Sequence, residues 1–242
     1  MKTRTLCLTL FALLIANSLC LASDGHALLD PAIPDGERIT YSLTSEMGND
    51  TIFESTTIKG DDTYEIASKC GYENRTANLD KNSMNTIWVE TSKHGRDSVV
   101  DMVTVPNGRN VRYGDAEIRI ADLSALRYQL RGYPFGKLSQ IALKTLTSQD
   151  EFSMKVSFAG EEKIETMGKS VDCYKLQFGI AGFLGMFLPK TCLWYSKESP
   201  HYLVRYEGSS DQRRLKKCRI EMIAYETRSN ISTTPSMMSA IR

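Results

Sequence analysis

The feature that most constrains this chain is how often it reverses. Ile39, Tyr41 and Leu43 alternate with Thr40, Ser42 and Thr44, the period of a strand with one buried face. Similar runs predict strands at 51–58, 63–67, 86–91, 99–105 and 117–120, and again at 152–158, 162–165, 171–178, 191–196, 202–207 and 219–227. Gly48-Asn49-Asp50, Gly60-Asp61-Asp62, His94-Gly95 and Pro106-Asn107-Gly108 supply turns between them. Strands this closely spaced leave no room for the helical crossovers of a parallel sheet. The expected fold is mainly β: a curved antiparallel sheet or half-open β-barrel with one or two short helices. One helix is expected from Asp122 to Arg131, capped by Asp122 or Ser124, with Leu123, Leu126 and Leu130 on one face. Gly132, Pro134 and Gly136 end it, and a second helical turn is expected over 138–146.

The chain opens on Lys2 and Arg4, then an apolar run from Leu6 to Ala16 and small residues at Ala22 and Ser23, the pattern of a cleaved signal peptide over 1–22. Asn17 and Ser18 interrupt the run, so no permanent membrane span is expected. Lipid attachment at Cys20 is disfavoured, because Leu19 stands where the lipoprotein peptidase needs a small residue. Residues 23–36, with Pro31, Pro34 and Gly36, read as an extended arm, and ordered structure is expected to begin at Glu37. A single antiparallel β domain is assigned to 37–227 and a disordered Ser/Thr/Met-rich tail to 228–242.

Lys plus Arg total 30 against 29 Asp plus Glu, so no long-range field gathers nucleic acid. The basic cluster Arg213, Arg214, Lys216, Lys217 and Arg219 follows Gly208-Ser209-Ser210 without interleaved aromatics and reads as a solvated loop. Export leaves Cys70, Cys173, Cys192 and Cys218, with no Cys-x-x-Cys pair to suit zinc or redox chemistry. Structural disulfides are the first reading and buried free thiols the second. A hairpin centred at Gly182-Phe183 would set Cys173 opposite Cys192 and leave Cys70 with Cys218.

Known catalytic patterns are missing from the sequence. Gly132 to Ser139 mimics a phosphate loop, but its glycine spacing is one residue short and Leu138 replaces the metal-binding hydroxyl. His26, His94 and His201 read as surface residues, and Asp61-Asp62 and Glu161-Glu162 as solvated turns. No catalytic residue, metal site or cofactor is therefore assigned. The unusual stretch is Phe178 to Pro189, where glycines recur every three residues among bulky apolar groups. Phe183, Leu184, Met186 and Phe187 read as an apolar lip for a lipid or hydrophobic partner, or as a buried connector. In the block after it, Tyr202, Val204 and Tyr206 are expected to face the core with His201, Arg205 and Glu207 pointing away. Trp194 and Tyr195 cannot share a face.

Several blocks together resemble one exported bacterial family. They are Gly36-Glu37-Arg38-Ile39-Thr40-Tyr41, Leu123-Ser124-Ala125-Leu126, Arg131-Gly132-Tyr133-Pro134-Phe135-Gly136, Asp172-Cys173-Tyr174-Lys175-Leu176, Trp194-Tyr195, and Pro200-His201-Tyr202-Leu203-Val204-Arg205-Tyr206-Glu207. The family is that of domain of unknown function 3108. The resemblance implies a Gram-negative periplasmic location and carries no established catalytic residues. At the level of fold it is similar to the periplasmic lipoprotein-carrier class, in which a curved antiparallel sheet half-closes around short helices to hold an acyl chain. Ser124–Arg131 would then be the plug, while the polar stretch from Asn74 to Asp115 departs from that pattern and leaves closure there open. The expected function is a non-enzymatic periplasmic module that binds an apolar ligand, a lipid tail or an envelope protein. The rival is a structural or protein-interaction domain with a filled core, and a hydrolase with dispersed residues comes third.

Overall fold

The first and last strands of this protein meet at the centre of its sheet. The computed structural model describes residues 28–71, 73–93, 99–104, 112–113, 116–117, 123–146, 151–180, 190–211 and 216–228. Six strands come first: β1 (Arg38–Ser45), β2 (Gly48–Lys59), β3 (Thr63–Cys70), β4 (Glu73–Asp80), β5 (Thr86–Lys93) and β6 (Val99–Thr104). Two-residue strands β7 (Arg112–Tyr113) and β8 (Ala116–Glu117) pair only with each other. Helix α1 (Leu123–Gln129) follows, running into a 3-10 turn at Leu130–Gly132. Six more strands complete the chain: β9 (Gln140–Leu146), β10 (Glu151–Thr166), β11 (Lys169–Ile180), β12 (Thr191–Ser196), β13 (Leu203–Asp211) and β14 (Lys216–Glu226).

Twelve strands form one antiparallel sheet in the order β6-β5-β4-β3-β2-β1-β14-β13-β12-β11-β10-β9. It consists of two meanders joined where β1 pairs with β14, from Arg38 opposite Glu226 to Ser45 opposite Cys218. The edges β6 and β9 do not pair with each other, so the sheet is open. It nevertheless rolls up. The Thr166 hydroxyl at the end of β10 donates to the Met222 carbonyl on β14, although β11, β12 and β13 lie between them in the sheet. Bulges between Thr40 and Tyr41, Phe158 and Gly160, and Trp194 and Tyr195 add the local twist that such rolling needs.

Several strands differ from the sequence reading for reasons of pairing. Glu73–Asp80, too polar to predict, is β4, because β3 and β5 flank it on both sides and Ala77 and Leu79 alternate into the core. Residues 138–146, read as a helical turn, supply β9, whose pairing with β10 overrides helical spacing. The runs 152–158 and 162–165 are one strand with a bulge, so Glu161-Glu162 lies in β10 and not in a turn. Gly208, Ser209 and Asp211 likewise pair with β14, so Gly208-Ser209-Ser210 lies in β13 and not in a turn, and Lys216, Lys217 and Arg219 lie in β14. Between β10 and β11, Met167 and Gly168 both take positive φ, 52° and 67°, as a two-residue hairpin turn requires.

The arm before β1 is packed, which corrects the expectation that ordered structure begins at Glu37. Leu28 and Ile33 are among the most deeply buried side chains. The Leu29 amide donates to the Gly132 carbonyl at 2.7 Å, and the Gly36 amide to Thr56. Tyr64 fixes the bend between them: its hydroxyl accepts from the Ile33 amide at 3.0 Å and donates to Asp30 at 2.5 Å.

Candidate functional site

Helix α1 is the element to which both halves of the sheet attach. Ala125, Leu126 and Tyr128 are buried, and Leu130 follows them into the core, so the helix uses almost all of its short surface for packing. Its Arg127 pairs with Glu54 of β2, and both Arg127 and Glu54 bond the Tyr128 hydroxyl. From the opposite half, the Tyr195 hydroxyl on β12 donates to the Arg127 carbonyl at 2.7 Å. The Gln129 side chain donates to the Met84 carbonyl between β4 and β5. The helix therefore fills the concave side as the expected plug.

The second attachment is the 3-10 turn. Arg131 makes two bonds to Glu37, at 2.7 and 2.9 Å, with side-chain exposures of 4% and 1%. It also donates to the Pro200 carbonyl, and Tyr225 donates to Glu37 from β14. Burial is the largest influence on both arginines and opposes their charge, but Glu54 with Tyr128 and Tyr41 at Arg127, and Glu37 with Tyr41 and Tyr225 at Arg131, together raise their pKa values, so each stays cationic. Burial, then Glu54, also raises the pKa of Tyr41, which feels the charges of both pairs. Such pairs need mutual satisfaction to exist in a core. They hold the sheet to the helix.

Residues from the separate motif blocks converge around this turn. Phe135 stacks on Tyr174 with centroids 4.4 Å apart, while His201 meets both rings edge-on at 5.0 and 6.0 Å. His201 also bonds the Ser196 carbonyl through Nδ1. It is half-buried, which corrects its reading as a surface residue. Glu37, Arg131, Phe135, Tyr174 and His201 thus come from segments far apart in sequence yet meet at one end of the sheet.

The outer face divides into two parts. Across β10–β14 it carries a ladder of paired charges, Lys175 with Glu162, Arg205 with Glu221, and Arg219 with both Glu221 and Glu207, beside Lys155 and Lys217, which are unpaired among the described residues. Trp194 lies beneath Lys175 and Arg205 and donates its indole N–H to Glu162 at 2.8 Å. Those bonds, from Lys175 first and then Trp194, hold the Glu162 carboxyl below the usual range.

Across β14-β1-β2-β3-β4 the face carries an open groove of about 420 Å³. Two ladder rows build it. Glu226, Arg38, Ser55, Ala67 and Thr76 stand side by side, and next to them Ala224, Thr40, Phe53, Lys69 and Asn74. The β1–β14 bulge falls beside the second row. Small side chains leave Phe53 56% exposed among them. Among the described residues neither Arg38 nor Lys69 forms an ion pair. No sequence signal marked this groove, because its residues belong to five strands and gather only through register.

The four predicted disulfide cysteines are free thiols. Cys173 faces Ser196 and Cys192 faces Gln177, so the hairpin register is offset four residues from the expected one. That places the two about 13 Å apart along the strands, too far for a bridge. Cys70 is on β3 and Cys218 on β14, with β2 and β1 between them, about 14 Å across the strands and a further four positions along them. Phe183, Leu184, Met186 and Phe187 lie outside the described residues, as do His26 and His94. The start of their segment is strand, since Gly179 and Ile180 pair with Lys155 and Met154, and Phe178 packs partly buried against the core.

Strict alternation fails in β13. The bulge makes Val204 the extra residue, so Leu203 and Val204 are both buried. Trp194 and Tyr195 keep opposite faces, yet both are buried, one under the charged ladder and one against α1.

Among the described residues no helix is long and apolar enough to cross a membrane, and no His, Cys, Asp and Glu cluster could hold a metal ion. No family model and no curated protein matches the chain. The resemblance to the family of domain of unknown function 3108 rests on the residue blocks alone. Among solved structures, a protein provisionally described as a lipoprotein, from Parabacteroides distasonis, is 12% identical at a TM-score of 0.35, over 84% of this chain and 100% of its own. A provisionally described exported protein with a YmcC-like fold, from Bacteroides fragilis, is 10% identical at a TM-score of 0.34, over 83% and 100%.

Proposed function

We propose that this chain is a non-enzymatic periplasmic module that engages its ligand or envelope partner at its surface, with the concave side of the sheet serving as a filled core. The observation that carries this reading is the placement of α1. The helix and the arm occupy the side on which a carrier would hold an acyl chain, and Arg127–Glu54 and Arg131–Glu37 lock the helix there. Both pairs consume ionisable groups that catalysis would need free. The leader pattern and the family resemblance support export and the periplasm. Native mass spectrometry of the protein purified from envelope membranes tests the proposal. A clean protein mass is expected, and a stoichiometric acyl lipid retained in the fold would overturn it.

A second reading is favoured by the composition of 178–189. On this reading Phe183, Leu184, Met186 and Phe187, chosen by composition alone, meet a lipid tail or hydrophobic partner. On that reading Phe183→Asp and Phe187→Asp abolish binding of a fluorescent fatty acid with little change in melting temperature. On the connector reading they destabilise the fold by several kcal/mol, roughly the cost of an unpaired buried charge.

A further inference from the structure

We infer that the outer groove over Phe53 is a binding site for an acidic glycan. The inference rests on the reading of a surface-engaging module and names the ligand class for one surface. Three observations support it. The first is shape: a groove of about 420 Å³ runs across five strands, within the ordinary range of ligand sites. The second is its lining. Phe53 presents its ring at 56% exposure in the middle of a sheet, where a sugar's C–H face can stack. Thr40, Ser55 and Asn74 beside it offer the hydroxyl and amide groups that pair with sugar hydroxyls.

The third is charge. On the same face Lys175, Arg205 and Arg219 are bonded to glutamates of the sheet, while Lys155 and Lys217, outside the groove, are not bonded to any among the described residues. Arg38 and Lys69 have no ion-pair partner among the described residues and stand on either side of the β2 positions Phe53 and Ser55. Register sets them two strands and one row apart, about 12 Å between backbone positions. Glu226 opposite Arg38 disfavours anions at that end, so the acidic group belongs on the Lys69 side and between the two cations. A ligand with carboxylates spaced along a polar ring scaffold meets all of these demands. A hydrocarbon tail leaves the cations and hydroxyls unanswered.

Titration calorimetry with tetragalacturonate and, separately, with neutral maltotetraose tests the inference on the full mature chain. Saturable binding of the acidic sugar is expected, weakening as salt is raised. Phe53→Ala and the double variant Arg38→Ala/Lys69→Ala should each weaken it about tenfold or more without moving the melting temperature, because all three side chains are exposed. Equal affinity for maltotetraose, unchanged binding in Phe53→Ala, or no binding of either sugar would overturn it. Binding only to phosphatidylglycerol vesicles would reassign the groove to a lipid surface. These outcomes leave the surface-module reading intact, since that reading falls only on the retained lipid.

Discussion

Arg131 and Glu37, 94 positions apart, meet in two parallel hydrogen bonds with almost no exposure to solvent. The pair joins the helical segment to the start of β1, and Tyr225 and the Pro200 carbonyl complete it from β14 and the β12–β13 loop. Four separate parts of the chain thus converge on one ion pair. Removing one partner leaves the other charged and buried. Arg131→Met should therefore cost about 3–5 kcal/mol in urea unfolding, and Arg131→Met with Glu37→Leu should recover most of the loss. A double variant no more stable than the single one would show that the pair does not act as a unit.

The arm depends on one glycine. A Cβ at Gly132 would stand 2.1 Å from the Leu29 carbonyl oxygen and 2.8 Å from Met84 Cγ. Backbone cannot yield as a flexible side chain can. Gly132→Ala should push the arm off its seat, exposing Leu28 and Ile33 and costing about 2–4 kcal/mol, the scale of losing large buried side chains. Limited proteolysis before residue 36 should speed up in parallel. An arm as protected as in the wild type would mean that α1 shifts instead.

The thiols give a pH-dependent prediction. Burial raises Cys173 from an ordinary value near 9 to about 12, and Cys218 to about 11. Each folded thiol keeps a proton that the unfolded chain has already released above pH 9. The unfolded state therefore binds fewer protons, and stability falls as pH rises from about 9 toward 12. Below that window the contribution is fully present. Under non-reducing conditions four thiols should react after unfolding, while Cys173 stays inert to thiol reagents at pH 8 in the native fold. Mapping that finds Cys173 in a disulfide after export would refute this register.

Val204 and His201 separate core from rim. Val204 is fully buried at the β13 bulge, so Val204→Asp should unfold the protein or cost several kcal/mol. His201→Ala removes two ring contacts and the bond to Ser196, an effect of about 1–2 kcal/mol. Thermal melts should rank the variants in that order. Equal melting temperatures would place Val204 outside the core.

Much of the fold was legible in the sequence because period-two alternation and turn chemistry are local. Ile39, Tyr41 and Leu43 and the strand 191–196 stand where local rules put them. The helix at 123–129 was visible from its leucines and the glycines and proline that follow. Less local features were not legible. Polar β4 is a strand because of its two neighbours, and β9 is one because β10 offers it a ladder.

The candidate sites divide in the same way. Phe183, Leu184, Met186 and Phe187 were found as a run of neighbours in sequence, the only kind of site that composition can reveal. The groove at Phe53, the Arg131–Glu37 pair and the free thiols depend on register, and a register is set by the whole sheet. An offset of four residues between β11 and β12 turned an expected disulfide into two distant thiols. The sequence by itself determined an antiparallel β chain with one short helix, because each residue's alternation and turn preference act over a few positions. Only the tertiary structure decided that the helix fills the sheet, that buried charges hold it there, and which side chains share a face, because those outcomes depend on contacts between residues far apart in the chain.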